Sequence, residues 1–218
     1  MRLMGILLAV LMLTTAPVIE SDAGGADTGV SPGEEALGGF FLAVRDYYRI
    51  PQWEVILIRQ RGIPPYEIPV VLFIAKRAHV APEIIMDFRL RDNAWLYTTL
   101  RFGLGPEIFY VPVGVVVRDP PYSRVYRYYN HKPRRKWKTI VLRDDDIVNL
   151  VNLKLMSEHH GYPPEKIMRM RSGGKEFVSI NDEIRKKKEK IKGENSVERN
   201  FPHPSHRRSS SPLSELLR

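Results

Sequence analysis

Three small groups of residues in this chain have types that could do chemistry. Glu158-His159-His160 sets two imidazoles side by side, which suggests a metal. Adjacent helical positions point about 100° apart, so two such rings do not easily face one ion. A zinc site needs three or four converging ligands, and His79 or His131 would have to join through tertiary contact. Histidines at a helix end complement the helix dipole, which accounts for the pair without a metal. Asp144-Asp145-Asp146 could chelate a cation or supply a catalytic carboxylate. A helix N-terminus explains the run fully, because such side chains cap its free N–H groups. Asn149 and Asn152 lie three apart in an apolar helix, suited to hydrogen bonding between helices or to lining a cleft. Ser157 and Ser179 lack a Gly-x-Ser-x-Gly context, and no phosphate-cradling glycine loop is present. With no cysteine in the chain, thiol catalysis, thiolate metal sites and disulfides are excluded. No catalytic residue, cofactor or metal is expected. An enzyme would need a cleft between helical units near His79, Glu158 and His159.

Charge is the more specific signal. The formal net charge is +9, and it is segregated. Residues 117–143 carry nine Lys or Arg against Asp119 alone, and residues 185–218 carry ten bases against four acids. The remainder is mildly acidic. In the first of these segments the bases are interleaved with Tyr122, Tyr126, Tyr128, Tyr129 and Trp137. Cations neutralise phosphate or carboxylate, and exposed rings stack on bases or sugars. The predicted contact residues are Arg124, Arg127, Tyr128, Tyr129, Arg134, Arg135, Lys136, Trp137 and Lys138. The competing expectation is a solvated loop whose tyrosines pack back on the helices.

The elements that would position these residues are helices in repeated units. His79-Val80-Ala81-Pro82-Glu83-Ile84-Ile85-Met86-Asp87-Phe88-Arg89 runs in step with Gly161-Tyr162-Pro163-Pro164-Glu165-Lys166-Ile167-Met168-Arg169-Met170-Arg171. Trp95 then matches Phe177. Weaker copies begin at Pro51 and at Gly105. Proline suits the first position of a helix, where its missing N–H has no partner anyway, and the Glu after it favours the dipole. A long apolar helix precedes each strong copy. The spacing predicts helices near 37–48, 52–61, 66–78, 82–91, 94–102, 145–159, 164–171 and 175–191. The fold class is therefore mainly α, an array of helix-turn-helix-like units. Residues 104–143 interrupt it as an irregular insertion, basic from 118. Its prolines argue against a long helix, and its β-prone residues 113–117 and 139–142 are candidates for a short β-hairpin.

The ends have their own signatures. Arg2 followed by an apolar run over residues 3–13 and then small residues reads as a secretory signal peptide. Removal after Ala23 is preferred, and Ala16 is the other plausible site. The run is too short to span a bilayer, which needs roughly 20 apolar residues. Residues 24–36 read as a flexible mature N-terminus, 37–192 as the helical-repeat domain, and 193–218 as a disordered basic tail. Export without disulfides fits a bacterial periplasm or exterior.

The two strong copies, over residues 67–103 and 146–184, resemble helix-turn-helix units. That resemblance implies DNA reading only if the last helix of each copy offers bases, and these do not. Residues 94–102 hold only Arg101, and 176–184 hold three acids and no base. The chain is also similar to a set of uncharacterised exported bacterial proteins, through Arg101-Phe102-Gly103-Leu104-Gly105-Pro106-Glu107 and Asp146-Ile147-Val148-Asn149-Leu150-Val151-Asn152-Leu153. That similarity implies a folded, exported domain and carries no activity. The expected function is a non-catalytic extracytoplasmic binding or structural protein whose basic-aromatic insertion is its contact surface. The alternatives are binding of a polyanion (nucleic acid, anionic lipid or envelope polymer) and a periplasmic enzyme. The partner expected is an acidic polymer or an envelope protein, with no sequence-specific DNA and no membrane span in the mature form.

Overall fold

The computed structural model describes residues 31–199. Among them the chain forms α1 (Pro32–Tyr48), α2 (Gln52–Gln60), α3 (Ile68–Ala78), α4 (Pro82–Arg89), α5 (Trp95–Arg101), α6 (Ser123–His131), α7 (Asp144–His160), α8 (Pro164–Ser172) and α9 (Phe177–Arg199). Tight 3₁₀ turns occupy Pro65–Glu67, Pro106–Phe109 and Arg134–Thr139. The class is mainly α.

Helices α3 and α7 pack on each other at the centre. Every residue of α3 from Ile68 to Ala75 is buried, and so are Leu150, Leu153, Leu155 and Met156 of α7. A helix buried on most sides has to be enclosed, and the other helices surround these two. Helix α1 lies along α9. Their approach is close at Gly39, where an added Cβ would meet Arg185 Nε at 3.3 Å.

One joint recurs. Helices α1, α3, α5 and α7 all end at a left-handed residue: Arg49 (φ 57°), His79 (φ 55°), Gly103 (φ 72°) and Gly161 (φ 67°). In each case the next N–H reaches back five residues to a free carbonyl. Ile50 donates to Arg45 at 3.2 Å, Val80 to Ala75 at 3.1 Å, Leu104 to Thr99 at 3.3 Å and Tyr162 to Ser157 at 3.0 Å. Proline follows at Pro51, Pro82, Pro106 and Pro163. The bond satisfies an orphan carbonyl, and the proline prevents the old helix from continuing. Glycine takes this conformation freely, whereas Arg49 and His79 hold it at a cost of roughly 1–2 kcal/mol each.

Positions that differ by 82, as 79 and 161 do, have matching environments. Ile85 and Ile167 are both fully buried, Met86 and Met168 are buried, and Trp95 and Phe177 are buried. The Arg89 guanidinium lies 4.8 Å from the Trp95 ring, and Arg171 lies 5.1 Å from Phe177. Arg89 Nη1 donates to the Asn93 carbonyl, and Arg171 Nη1 to that of Lys175. Both arginines also reach back to the equivalent upstream residue. Arg89 grips Glu67 with two bonds of 2.8 and 2.7 Å, and Arg171 Nε donates to Asn149 Oδ1 at 3.1 Å.

The structure differs from the sequence reading in four places. No strand occurs among the described residues, so the hairpin is absent. Val115, Val116 and Val141 are exposed, and the Gly114 N–H donates to Glu165 Oε1 of α8 at 2.6 Å instead of to a second strand. Residues 104–143 are not irregular throughout, because they contain α6. Pro121 and Pro133 bracket that helix rather than forbid it, while Val125, Tyr126 and Tyr129 form its buried face. Helix α1 starts at Pro32 rather than near 37, because Ser31 and Glu34 form a capping box in which each side chain accepts from the other residue's N–H. Helix α9 continues to Arg199, past the expected boundary at 192. The expected signal segment, and the tail beyond 199, lie outside the described residues.

Candidate functional site

The predicted contact surface is built on α6 and the Arg134–Thr139 turn. What fixes it is the direction of the rings. Tyr126 donates its hydroxyl to the Val111 carbonyl at 2.6 Å, and Tyr129 donates to that of Pro106 at 2.6 Å. Trp137 Nε1 donates to the carbonyls of Tyr129 and Lys132 at 3.0 and 2.9 Å. Tyr110 lies against Tyr129 and Trp137, with centroids 5.1 and 4.6 Å apart. Burial pushes the phenol pKa values of Tyr122, Tyr126 and Tyr129 upward, so all three stay neutral. The expectation that Tyr129 and Trp137 are displayed for stacking does not hold. Tyr129 is 1% exposed and Trp137 9%. Only Tyr128 faces solvent. A buried indole needs a partner for its N–H, and the end of α6 supplies one.

The cations divide into two sets. Arg124 pairs with the buried carboxylate of Asp146 and its guanidinium lies 5.9 Å from the Tyr128 ring, so it is committed to the fold. Arg134 lies against the outer face of Trp137 at 5.3 Å. Lys132 Nζ donates to Thr139 through the carbonyl and the hydroxyl. Arg127, Arg135, Lys136 and Lys138 are exposed and have neither an ion pair nor a hydrogen bond from the side chain. The result is a cationic ridge whose rings, apart from Tyr128, are turned inward.

The aspartate run at 144–146 is also structural. Asp144 Oδ1 accepts from the Trp95 N–H at 2.8 Å, capping α5, and Oδ2 accepts from Arg89 at 2.6 Å. Asp146 accepts from the Arg143 N–H at 2.8 Å. Asn149 Nδ2 donates to the Asp145 carbonyl, and Asn152 Nδ2 to those of Tyr66 and Val148. Asn152 thus ties α7 to the Pro65–Glu67 turn, and Asn149, which accepts from Arg171, ties it to α8. His160 bonds Asn181 Oδ1 through Nε2 at 2.9 Å, and the His159 ring stands edge-on to it. Among the described residues no three His, Cys, Asp or Glu side chains converge on a metal position.

A second feature escaped the sequence reading except for two of its residues. A cavity of about 710 Å³ opens where α1, α3, α7 and the segment after α5 meet. Tyr48, Phe73, Leu104 and Ile108 line it with Arg49, Lys76, Arg77, His79 and Lys154. His79 and Glu158 both face it, while His159 does not. Glu158 is satisfied from within the protein. Tyr47 donates to it at 2.6 Å and Lys154 at 2.5 Å. Burial acts to raise the Glu158 pKa, but these bonds outweigh it and hold the group below the usual carboxylate value. Burial and the bond to Glu158 raise the Tyr47 pKa. Neither group is therefore tuned toward neutrality, as a general acid or base would be.

Comparison of the chain with protein-family models, with curated proteins and with solved structures found no match.

Proposed function

We propose that this chain is a non-catalytic, extracytoplasmic binding protein that uses its helical repeats as a scaffold and the ridge at residues 127–138 to hold an acidic polymer. The observation that carries the reading is the set of cations without partners. Arg127, Arg135, Lys136 and Lys138 are exposed and unpaired, on a frame that the buried rings hold in place. A frame already ordered loses little entropy on binding, so the electrostatic gain is retained. With every ring of the ridge but Tyr128 turned inward, the contact is chiefly one of charge and not of base stacking. The placement outside the cytoplasm rests on residues 1–23.

The test is retention on heparin and on single-stranded DNA over a salt series. Neutralising about five phosphates predicts a loss of affinity of roughly a hundredfold to a thousandfold between 50 and 200 mM salt. The variant with Arg134, Arg135, Lys136 and Lys138 all changed to Gln should elute far earlier than wild type. Oligo-dT and oligo-dA of one length should elute at nearly the same salt, because Tyr128 is the one ring of the ridge that faces solvent. If the wild type and the quadruple variant leave the column at the same salt, the ridge is only a solvated surface and the reading fails.

A further inference from the structure

The cavity between α1, α3 and α7 shares no lining residue with the cationic ridge and has a different chemistry. Its floor is apolar, formed by Tyr48 and Phe73, both buried, with Leu104 and Ile108 beside them. The Tyr48 hydroxyl is turned away, donating to the Pro69 carbonyl at 2.9 Å, so the ring offers only its hydrocarbon face. The rim is cationic. Arg49, Lys76, Arg77 and Lys154 stand against the single carboxylate Glu158, a surplus of three charges before His79 is considered. Lys154 and Tyr47 already satisfy Glu158, and Arg77 leans over the Phe73 ring at 5.4 Å. Arg49, Lys76 and His79 have no hydrogen bond or ion pair from their side chains.

The backbone adds an independent observation. Arg49 and His79 occupy the left-handed position that closes a helical unit, and the other two copies of that joint use Gly103 and Gly161. Glycine would serve the fold better at all four. The two joints that depart from glycine are the two that place a basic side chain on this cavity, and persistent strain of this kind marks binding sites.

We propose that this cavity binds a small organic anion, an aliphatic or aromatic body ending in a carboxylate or phosphate. The body lies on Tyr48, Phe73, Leu104 and Ile108. The anionic end is held by Arg49, Lys76 and His79. The volume is in the range of small-molecule sites, and an apolar floor with a few polar groups is their usual build.

The experiment is calorimetric titration of the full chain with octyl phosphate, octanoate, octyl glucoside and inorganic phosphate. Octyl phosphate and octanoate should each bind one molecule per chain. Octyl glucoside and inorganic phosphate should bind at least tenfold more weakly. The double variant Arg49→Gly, His79→Gly should lose at least tenfold in affinity for the two anions while its thermal midpoint stays level or rises. A misfolded variant cannot produce that pair of results, because relief of left-handed strain moves stability the other way. The ridge variant Arg135→Gln, Lys136→Gln should keep wild-type affinity for octanoate, so failure at the ridge and failure at the cavity are told apart. Equal affinity for octyl glucoside and octanoate overturns the proposal, since the cations then recognise nothing. Equal affinity for phosphate and octyl phosphate overturns it too, since the floor then contributes nothing. Unchanged affinity in the double variant removes Arg49 and His79 from the site and overturns it as well.

Discussion

Arg89 and Arg171 hold matching places in two helical segments whose sequences run in step, and they are satisfied differently. Each guanidinium covers the buried aromatic that starts the next helix. Arg89 then meets two carboxylates, Glu67 from its own copy and Asp144 from the start of α7. Arg171 meets the neutral amide of Asn149 and the exposed Glu176. The first is a bolt between copies, because Asp144 also caps α5 through the Trp95 N–H. The second closes only its own copy. The packing is common to both, and charge has been placed where one copy must be joined to the other.

Replacing the ring tests whether the two copies share a packing energy. Trp95→Ala and Phe177→Ala should each cost about 3–5 kcal/mol, as truncation of a buried aromatic does. Chemical denaturation of both variants reads this directly. A cost below about 1 kcal/mol for either would show that the copies are not equivalent in packing.

Replacing the arginine tests the difference in charge. Arg89→Met leaves Glu67, whose side chain is 9% exposed, as an unpaired carboxylate, and should cost about 3 kcal/mol. Arg171→Met leaves only a neutral amide and a solvated Glu176, and should cost about 1 kcal/mol. The two urea midpoints compared at neutral pH check the ratio. Equal losses would mean that the ionic bolt adds nothing.

The smallest effect concerns acid. His160 ends α7, and the equivalent position in the first copy is Ala78. Burial, chiefly, with His159 and Lys188 nearby, lowers the His160 pKa to about 4, against a partial opposing contribution from the Asn181 bond. The unfolded chain therefore binds this proton near pH 6.5, and the folded chain only near 4. The contribution of His160 to stability is fully present above 6.5 and declines as pH falls through that window, by about 1 kcal/mol once solvent screening is allowed for. His160→Gln should flatten that part of the profile, as read from urea midpoints at pH 7 and 4.5. Parallel profiles for variant and wild type would sink the assignment.

Much of the helical order is legible in the sequence because it is local. Pro82 and Pro164 start helices and the apolar spacing of Ile85 and Ile167 fixes their buried faces, so α4 and α8 lie close to their predicted bounds. Helix α6 is hidden by the prolines around it, although Pro121 and Pro133 only mark its ends. Its buried residues Val125, Tyr126 and Tyr129 already had helical spacing. The direction of the tyrosine rings could not be read, because the carbonyls that accept from Tyr126 and Tyr129 lie 15 and 23 residues earlier, at Val111 and Pro106. The cap that Asp144 provides for Trp95 joins residues 49 apart in sequence, beyond any local pattern. The cavity draws on four separate segments, and no local pattern in the sequence brings them together.

The inward rings of the basic segment also have an optical consequence. The chain holds three tryptophans in three settings. Trp53 on α2 faces water, Trp95 lies beneath a guanidinium, and Trp137 sits against Tyr110 and Tyr129 with centroids 4.6 and 4.9 Å apart. Light absorbed by those tyrosines passes to the neighbouring indole at such separations. Emission from Trp137 on tyrosine excitation therefore reports whether the ridge is seated, while Trp95 reports the first copy and Trp53 the solvent. The colour and excitation spectrum of the protein's own fluorescence separate the regions that carry its charge from those that carry its core.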